Sequence, residues 1–399
     1  MITNELITLI NRIKADCVEW NTQNESYSPN EMKRRRDYSL GLVELIRCFL
    51  GIFIYPKFGK SDVVYVFEGL RNKDYMAAFD RSTVVVIGSH EERRFAKING
   101  YGFIWSFPVD AAVRSKVYRD WSFFISRQIL RWSNRLKRKK NVIFFLYEDT
   151  QPLGTFLAHV SRCLPANTKS VCIQHGYFSE LKYPLRYEGK ISDINFVWDE
   201  RQAQLMGLDR AKTFSIGLPY SARAHHCKEL PIVLVGIGAP YSDLDLYMAM
   251  LNIFTEIARI VRNDLGRGVI YRPHPTEFIH SEIMGDLDKG FEEIDALGKI
   301  DRLNSARSIF IGTISSFLYE AKSAGHFVVF VDIDDKAIPV FEYDLKITPL
   351  NLTELIDWIK ITSTKLTVMG DGVECGFDEN PLTRFRHAVI EAKLLSEVL

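Results

Sequence analysis

The sequence predicts an α/β protein built as two Rossmann-like domains facing a cleft. Three observations predict it. Short apolar runs rich in β-branched and aromatic residues alternate with helical patterns, as they do when parallel strands are covered by helices on both faces. That alternation occurs twice. The 399 residues also suit two domains of roughly 200 each better than one.

In the first half, Val63–Phe67, Thr83–Ile87, Val142–Tyr147, Ser170–Gln174 and Asn195–Trp198 read as strands. A helix is predicted from Arg114 to Lys140, because Tyr118, Trp121, Phe124, Ile125, Ile129 and Trp132 recur at helical spacing. In the second half, Ile232–Gly236, Val269–Arg272, Ser308–Ile311 and Phe327–Val331 read as strands, with helices over Leu244–Arg262, Ser315–Ala324 and Leu352–Ile361. The stretch Leu218–Pro231 starts and ends beside prolines and predicts the boundary, giving a first domain at 1–220 and a second at 231–399. Leu382–Leu399 reads as an amphipathic helix that could return to the first domain. Ile2, Leu6, Leu9, Ile13, Cys17 and Trp20 share one helical face, so the first residues read as a helix and not as a signal peptide.

Lys plus Arg is 51 and Asp plus Glu is 50, a balance that argues against a nucleic-acid binder. The six cysteines are scattered without a CxxC pair, which predicts reduced thiols in a cytosolic protein. His225-His226-Cys227 is the one dense ligand-like cluster and reads as linker. No run approaches the ~20 apolar residues of a membrane span. Cys48–Pro56 is uncharged and flanked by Arg47 and Lys57, downstream of Lys33-Arg34-Arg35-Arg36. It reads either as a core helix with a solvated basic start or as a segment that touches an anionic membrane surface.

In open parallel sheets, ligands gather beyond the carboxyl ends of strands, and five polar clusters stand there. Arg272-Pro273-His274-Pro275 offers donors suited to phosphate, and His274 could act as a general acid. Gly312-Thr313-Ile314-Ser315-Ser316 forms a small-residue turn into a helix, whose start presents N–H groups to an anion; one Ser or Thr would suffice as a cap. Gln174-His175-Gly176 places a base or donor beside a glycine. Tyr147-Glu148-Asp149-Thr150 supplies two carboxylates for a general base, or an N-cap ahead of Pro152. Glu68-Gly69 is a weaker rival for that base. Gly236-Ile237-Gly238 closes the first strand of the second domain and could admit phosphate, but it lacks the GxGxxG pattern of a nicotinamide site.

The order His175-Gly176, Arg272-x-His274-Pro275, then Ser315-Ser316 followed by Leu318-Tyr319-Glu320-Ala321 resembles bacterial capsule and lipopolysaccharide transferases of the GT-B fold. These include transferases of sialic acid and of Kdo, and the polyol-phosphate polymerases of teichoic acid synthesis. Phe196–Glu200 and Phe214–Pro219 look like the inter-domain stretch of such proteins, and the resemblance covers about Val142–Val331. It implies a glycosyltransferase, cytoplasmic or peripheral on the inner membrane face, with a nucleotide-sugar donor and an oligosaccharide or lipid-linked glycan acceptor. The implied donor is a CMP-activated ulosonic acid such as sialic acid or Kdo. His274-Pro275 and Ser315-Ser316 would hold the CMP phosphate, with Arg272, Gly312, Thr313, Glu320, Gly236 and Gly238 completing the donor site. The family's acidic-acidic-Gly base motif is not matched, since Thr150 follows Glu148-Asp149. Glu148, Asp149 and His175 therefore all stay open as the base. Asp243-Leu244-Asp245 and Asp332-Ile333-Asp334 could hold a metal, but the resemblance favours a mechanism with no metal or other cofactor. A CDP-polyol phosphotransferase, a sugar-nucleotide epimerase and a non-catalytic scaffold of polysaccharide assembly are the rival readings.

Overall fold

The structure is a computed structural model that describes residues 4–25, 42–163, 168–174, 176, 180–181, 189–220, 222–227, 229–237, 244–274, 291–295, 297–313, 315–333, 337–338, 341–368 and 380–394. The strands in chain order begin with β1 (Val63–Glu68), β2 (Val84–Gly88), β3 (Gly102–Trp105), β4 (Asn141–Leu146) and β5 (Thr168–Ile173). Next come β6 (Glu180–Leu181), β7 (Ile194–Val197), β8 (Thr213–Ser215), β9 (Ile232–Val235) and β10 (Ile270–Arg272). The last are β11 (Glu293–Ile294), β12 (Ile309–Gly312), β13 (Phe327–Val331), β14 (Ala337–Ile338) and β15 (Leu345–Ile347). They form two parallel sheets, ordered β3-β2-β1-β4-β5-β7-β8 and β11-β10-β9-β12-β13-β15. The molecule is thus two Rossmann-like domains. β6 and β14 pair antiparallel and tie one domain to the other.

The helices of the first domain are α1 (Asn4–Glu25), α2 (Leu42–Gly51), α3 (His90–Asn99), α4 (Phe107–Arg119), α5 (Ser122–Leu136), α6 (Pro152–Arg162) and α7 (Glu200–Leu205). Alternate residues of β1 divide its two faces. Val64 and Val66 pack under α1, α4, α5 and α6, while Tyr65 and Phe67 pack toward α3 and the end of the chain. The helix expected over Arg114–Lys140 is two helices. Asp120 takes a left-handed conformation (φ 59°) that ends α4, and its carboxylate is held by Lys116 and Lys14. The helical spacing runs across this break, which is why sequence reads it as one helix. β3, β8, β11 and β15 escape the sequence reading because two to four residues show no period.

The second domain carries α8 (Leu244–Leu265), α9 (Lys299–Leu303), α10 (Ser316–Ser323) and α11 (Leu352–Val368). α8 and α11 cover one face of its sheet, and α9 and α10 cover the other. The last helix, α12 (Pro381–Glu391), leaves this domain and seals the first one. Its Phe385 is fully buried and stacks on Tyr75 at 4.2 Å, and Arg384 donates to the carbonyls of Ile216 and Leu218, both at 3.0 Å. The linker is pinned at His225, which bridges to Ala306, and at Cys227, whose thiol lies on the carbonyls of Glu229 and Arg307. Among the described residues no helix is long and apolar enough to cross a membrane.

Candidate active site

Each strand order reverses once, and chemistry gathers at the reversal. In the first sheet the chain proceeds outward through β1, β2 and β3, then returns to place β4 on the other side of β1. In the second it proceeds through β9, β10 and β11, then returns to place β12 beside β9. Connections leave in opposite directions at such a point and open a crevice beyond the strand ends.

At the first reversal, β1 ends in Glu68 and β4 runs into Tyr147-Glu148-Asp149. Glu68 is buried, and its Oε2 has no hydrogen-bond partner among the described residues. Burial first, then the neighbouring charges of Asp110 and Glu148, push its carboxyl well above the usual range. Glu148 is half-buried and accepts from the Thr150 hydroxyl at 2.6 Å. Arg71 lies over the Tyr147 ring at 4.9 Å, and burial, Glu68 and Glu148 raise that phenol. Only glycine fits at position 154, where a Cβ would stand 1.9 Å from the Glu148 carbonyl; the start of α6 is pressed against this loop.

Asp149 is not available as a base. It is fully buried and accepts four hydrogen bonds at 2.8–2.9 Å, from the N–H groups of Gly189, Ile191 and Ser192 and from the Ser192 hydroxyl. It fastens the approach to β7. Sequence could not separate it from Glu148, because its donors come from a segment 40 residues further on. Gln174 does similar work beside it: it accepts from the Trp198 N–H at 2.7 Å and donates to Gln202 at 2.8 Å. His175 lies outside the described residues, as do Pro275, Gly238 and Ile314.

At the second reversal, β10 delivers Arg272 and His274, and β12 delivers Thr313 and Ser315. Two polar atoms here are buried without a hydrogen-bond partner among the described residues, Arg272 Nε and Thr313 Oγ1. Such orphans are costly unless something else satisfies them. The Arg272 guanidinium stacks on the Phe317 ring at 4.1 Å, and its pKa is lowered chiefly by burial. His274 is likewise lowered, by burial and then by Arg272 and Lys299. Ser315 is the N-cap of α10, accepting from the Phe317 N–H at 3.3 Å; as a hydroxyl it keeps its proton to donate. Ser316 opens the helix.

Three of the residues assigned to the donor site have structural partners. A Cβ on Gly312 would come within 3.2 Å of Val235 Cβ, so this glycine lets β12 lie close to β9. Gly236 donates its N–H to the Arg272 carbonyl at 2.9 Å and ties β9 to β10. Glu320 is buried with its carboxyl raised by burial, and it is already engaged by the Lys299 ammonium at 2.6 Å and by the Tyr220 hydroxyl. It holds these two groups in place.

Lys299 and Tyr220 were missed from sequence. They come from a five-residue helix and the linker, not from a strand end. Lys299 lies over the Tyr220 ring at 5.6 Å and beside His274, adding a cation to the cluster. Tyr220 also lines a cavity of ≈ 420 Å³ at the domain junction, with Tyr75, Ile300 and Leu382. Asp332 is paired with Lys346 at 2.7 Å, while Asp243 and Asp334 lie outside the described residues.

No protein-family model matches the sequence. No curated protein matches it. In fold, the chain is similar to a UDP-GlcNAc 2-epimerase. The structure is that of the Methanocaldococcus jannaschii enzyme in complex with UDP-GlcNAc and UDP, 11% identical, with 83% of this chain and 99% of that one covered at a TM-score of 0.51. The glycotransferase of kitacinnamycin is 12% identical over 84% of this chain and 99% of that one, with a TM-score of 0.46. The wall teichoic acid polymerase TagF is 11% identical over 91% of this chain and 93% of that one, with a TM-score of 0.43. At such identity the likeness is one of fold, so the chemistry must be argued from the site.

Proposed function

We propose that this chain is a glycosyltransferase that moves a sugar from a nucleotide donor to a glycan acceptor. The observation that carries the reading is the pairing of the two strand-order reversals. One holds carboxylates; the other holds Arg272 Nε and Thr313 Oγ1, buried polar atoms with no partner among the described residues. An anionic phosphate would satisfy both.

The acceptor hydroxyl enters beside the first sheet and gives its proton to Glu148, with His175 as the other candidate. Its oxygen forms a bond to the anomeric carbon as the carbon–oxygen bond to phosphate breaks. Arg272, Lys299, His274 with Pro275, Thr313 and the Ser315–Ser316 helix start receive the charge that grows on the leaving phosphate. Preorganised donors of this kind are usually the largest catalytic contribution. No metal is assigned a step. A CMP-activated ulosonic acid, sialic acid or Kdo, is the proposed donor, on the His274-Pro275 and Ser315-Ser316 resemblance.

The similarity in fold to the M. jannaschii epimerase favours a second reading, interconversion of free sugar nucleotides. Thermal shift with CMP, CDP and UDP separates the readings, because a ligand that binds the native state raises its stability. A selective CMP shift, followed by hydrolysis of a CMP-ulosonic acid without acceptor, is the expected result. A UDP shift with epimerisation of UDP-GlcNAc would replace the transferase by the epimerase, and no shift with any nucleotide would overturn both.

A further inference from the structure

We propose that the outer surface of α2 and α5 is a docking face for an anionic lipid bilayer; the inference stands independently of the reaction above. α2 turns Cys48 inward, its thiol on the Ala111 carbonyl, and presents large apolar side chains outward. Val43 is 63% exposed, Leu50 53% and, just past the helix, Phe53 77%. On α5, Phe123 is 54% exposed. Scattered exposed apolar residues are ordinary, but these lie on one joined surface. Phe49 meets Phe124 edge-on at 5.3 Å, and Gln128 and Arg131 donate to the Gly51 carbonyl at 3.0 and 2.8 Å.

Glu44 lies on α2 and Asp62 pairs with Lys140 at 3.1 Å, but the stretches between these acids are basic. Residues 45–61 carry Arg47, Lys57 and Lys60 and no acid, and residues 121–141 carry seven Lys or Arg and no acid. The whole chain has a net charge of only +1. The arginines lie against the aromatic rings: Arg131 and Arg135 over Tyr55 at 4.4 and 5.6 Å, and Arg127 over Phe123 at 5.8 Å. Apolar side chains, amphipathic aromatics and basic residues on one surface match the layers of a bilayer edge, where the first enter the acyl boundary and the last meet headgroup phosphates. A second copy would bring like charges together, and Val43, Ile46 and Leu50 offer a nucleic acid neither stacking nor hydrogen bonds.

The full chain is sedimented with vesicles of phosphatidylcholine alone and of phosphatidylcholine mixed with phosphatidylglycerol. Binding to the mixed vesicles only, weakened by salt and reduced about tenfold or more in Leu50→Glu/Phe53→Glu, is expected. Both positions are more than half exposed, so this variant should melt like the wild type, and sedimentation velocity reports any self-association. No partition into mixed vesicles, equal binding of the variant, or a dimer that the variant dissolves would overturn the assignment.

Discussion

The Tyr319 hydroxyl donates to Asp199 at 3.2 Å across the two domains, and the Tyr319 ring lies on Trp198 at 5.9 Å and 18°. Tyr319 is on α10, whose start carries Ser315 and Ser316, and Asp199 caps α7 in the first domain. One side chain thus fixes α10 against the first domain.

Tyr319→Phe keeps the stacking and removes the hydrogen bond. Stability should fall by about 1 kcal/mol, the usual net worth of one such bond, read by chemical denaturation. An unchanged midpoint would show that this hydrogen bond adds nothing to the hold of one domain on the other.

Glu68 sets a pH dependence. Its native carboxyl is raised by burial, Asp110 and Glu148, so the folded state keeps a proton that the unfolded chain releases. Stability is therefore full below the ordinary carboxylate range and declines as pH climbs toward Glu68's raised value. Glu68→Gln removes that decline, so the variant should gain on the wild type as pH rises. Parallel stability–pH profiles would contradict the buried proton.

The two neighbouring carboxylates should part company on mutation. Asp149→Ala strands three N–H groups and should cost about 3 kcal/mol of stability, whatever it does to turnover. Glu148→Gln should leave the melting temperature alone and lower turnover about 100-fold, as loss of a general base does. The reverse pattern in paired melting and rate measurements would exchange their roles.

Thr313→Val tests the donor site without disturbing the fold. The hydroxyl has no partner among the described residues, so replacing it should leave stability equal or slightly higher. Nucleotide affinity, measured by calorimetry, should drop about five-fold, one hydrogen bond's worth. Undiminished affinity would place the phosphate elsewhere.

The sequence by itself determined the two-domain α/β fold and the strand ends where polar residues collect. Both are local properties: alternation of apolar runs with helical periods, and Arg272, His274 or Glu148 at or just past a strand end. Packing decided the rest. Asp149 and Glu148 look alike in sequence, yet one is consumed by backbone N–H groups forty residues away and the other is half-buried at the strand end. Glu68 read as a weaker rival for the base, and it is burial beside Asp110 and Glu148 that raises its carboxyl. Lys299 and Tyr220 reach the site from a short helix and a linker with no motif of their own. Desolvation and long-range hydrogen bonding depend on which segments meet, and that is fixed only when the chain has folded.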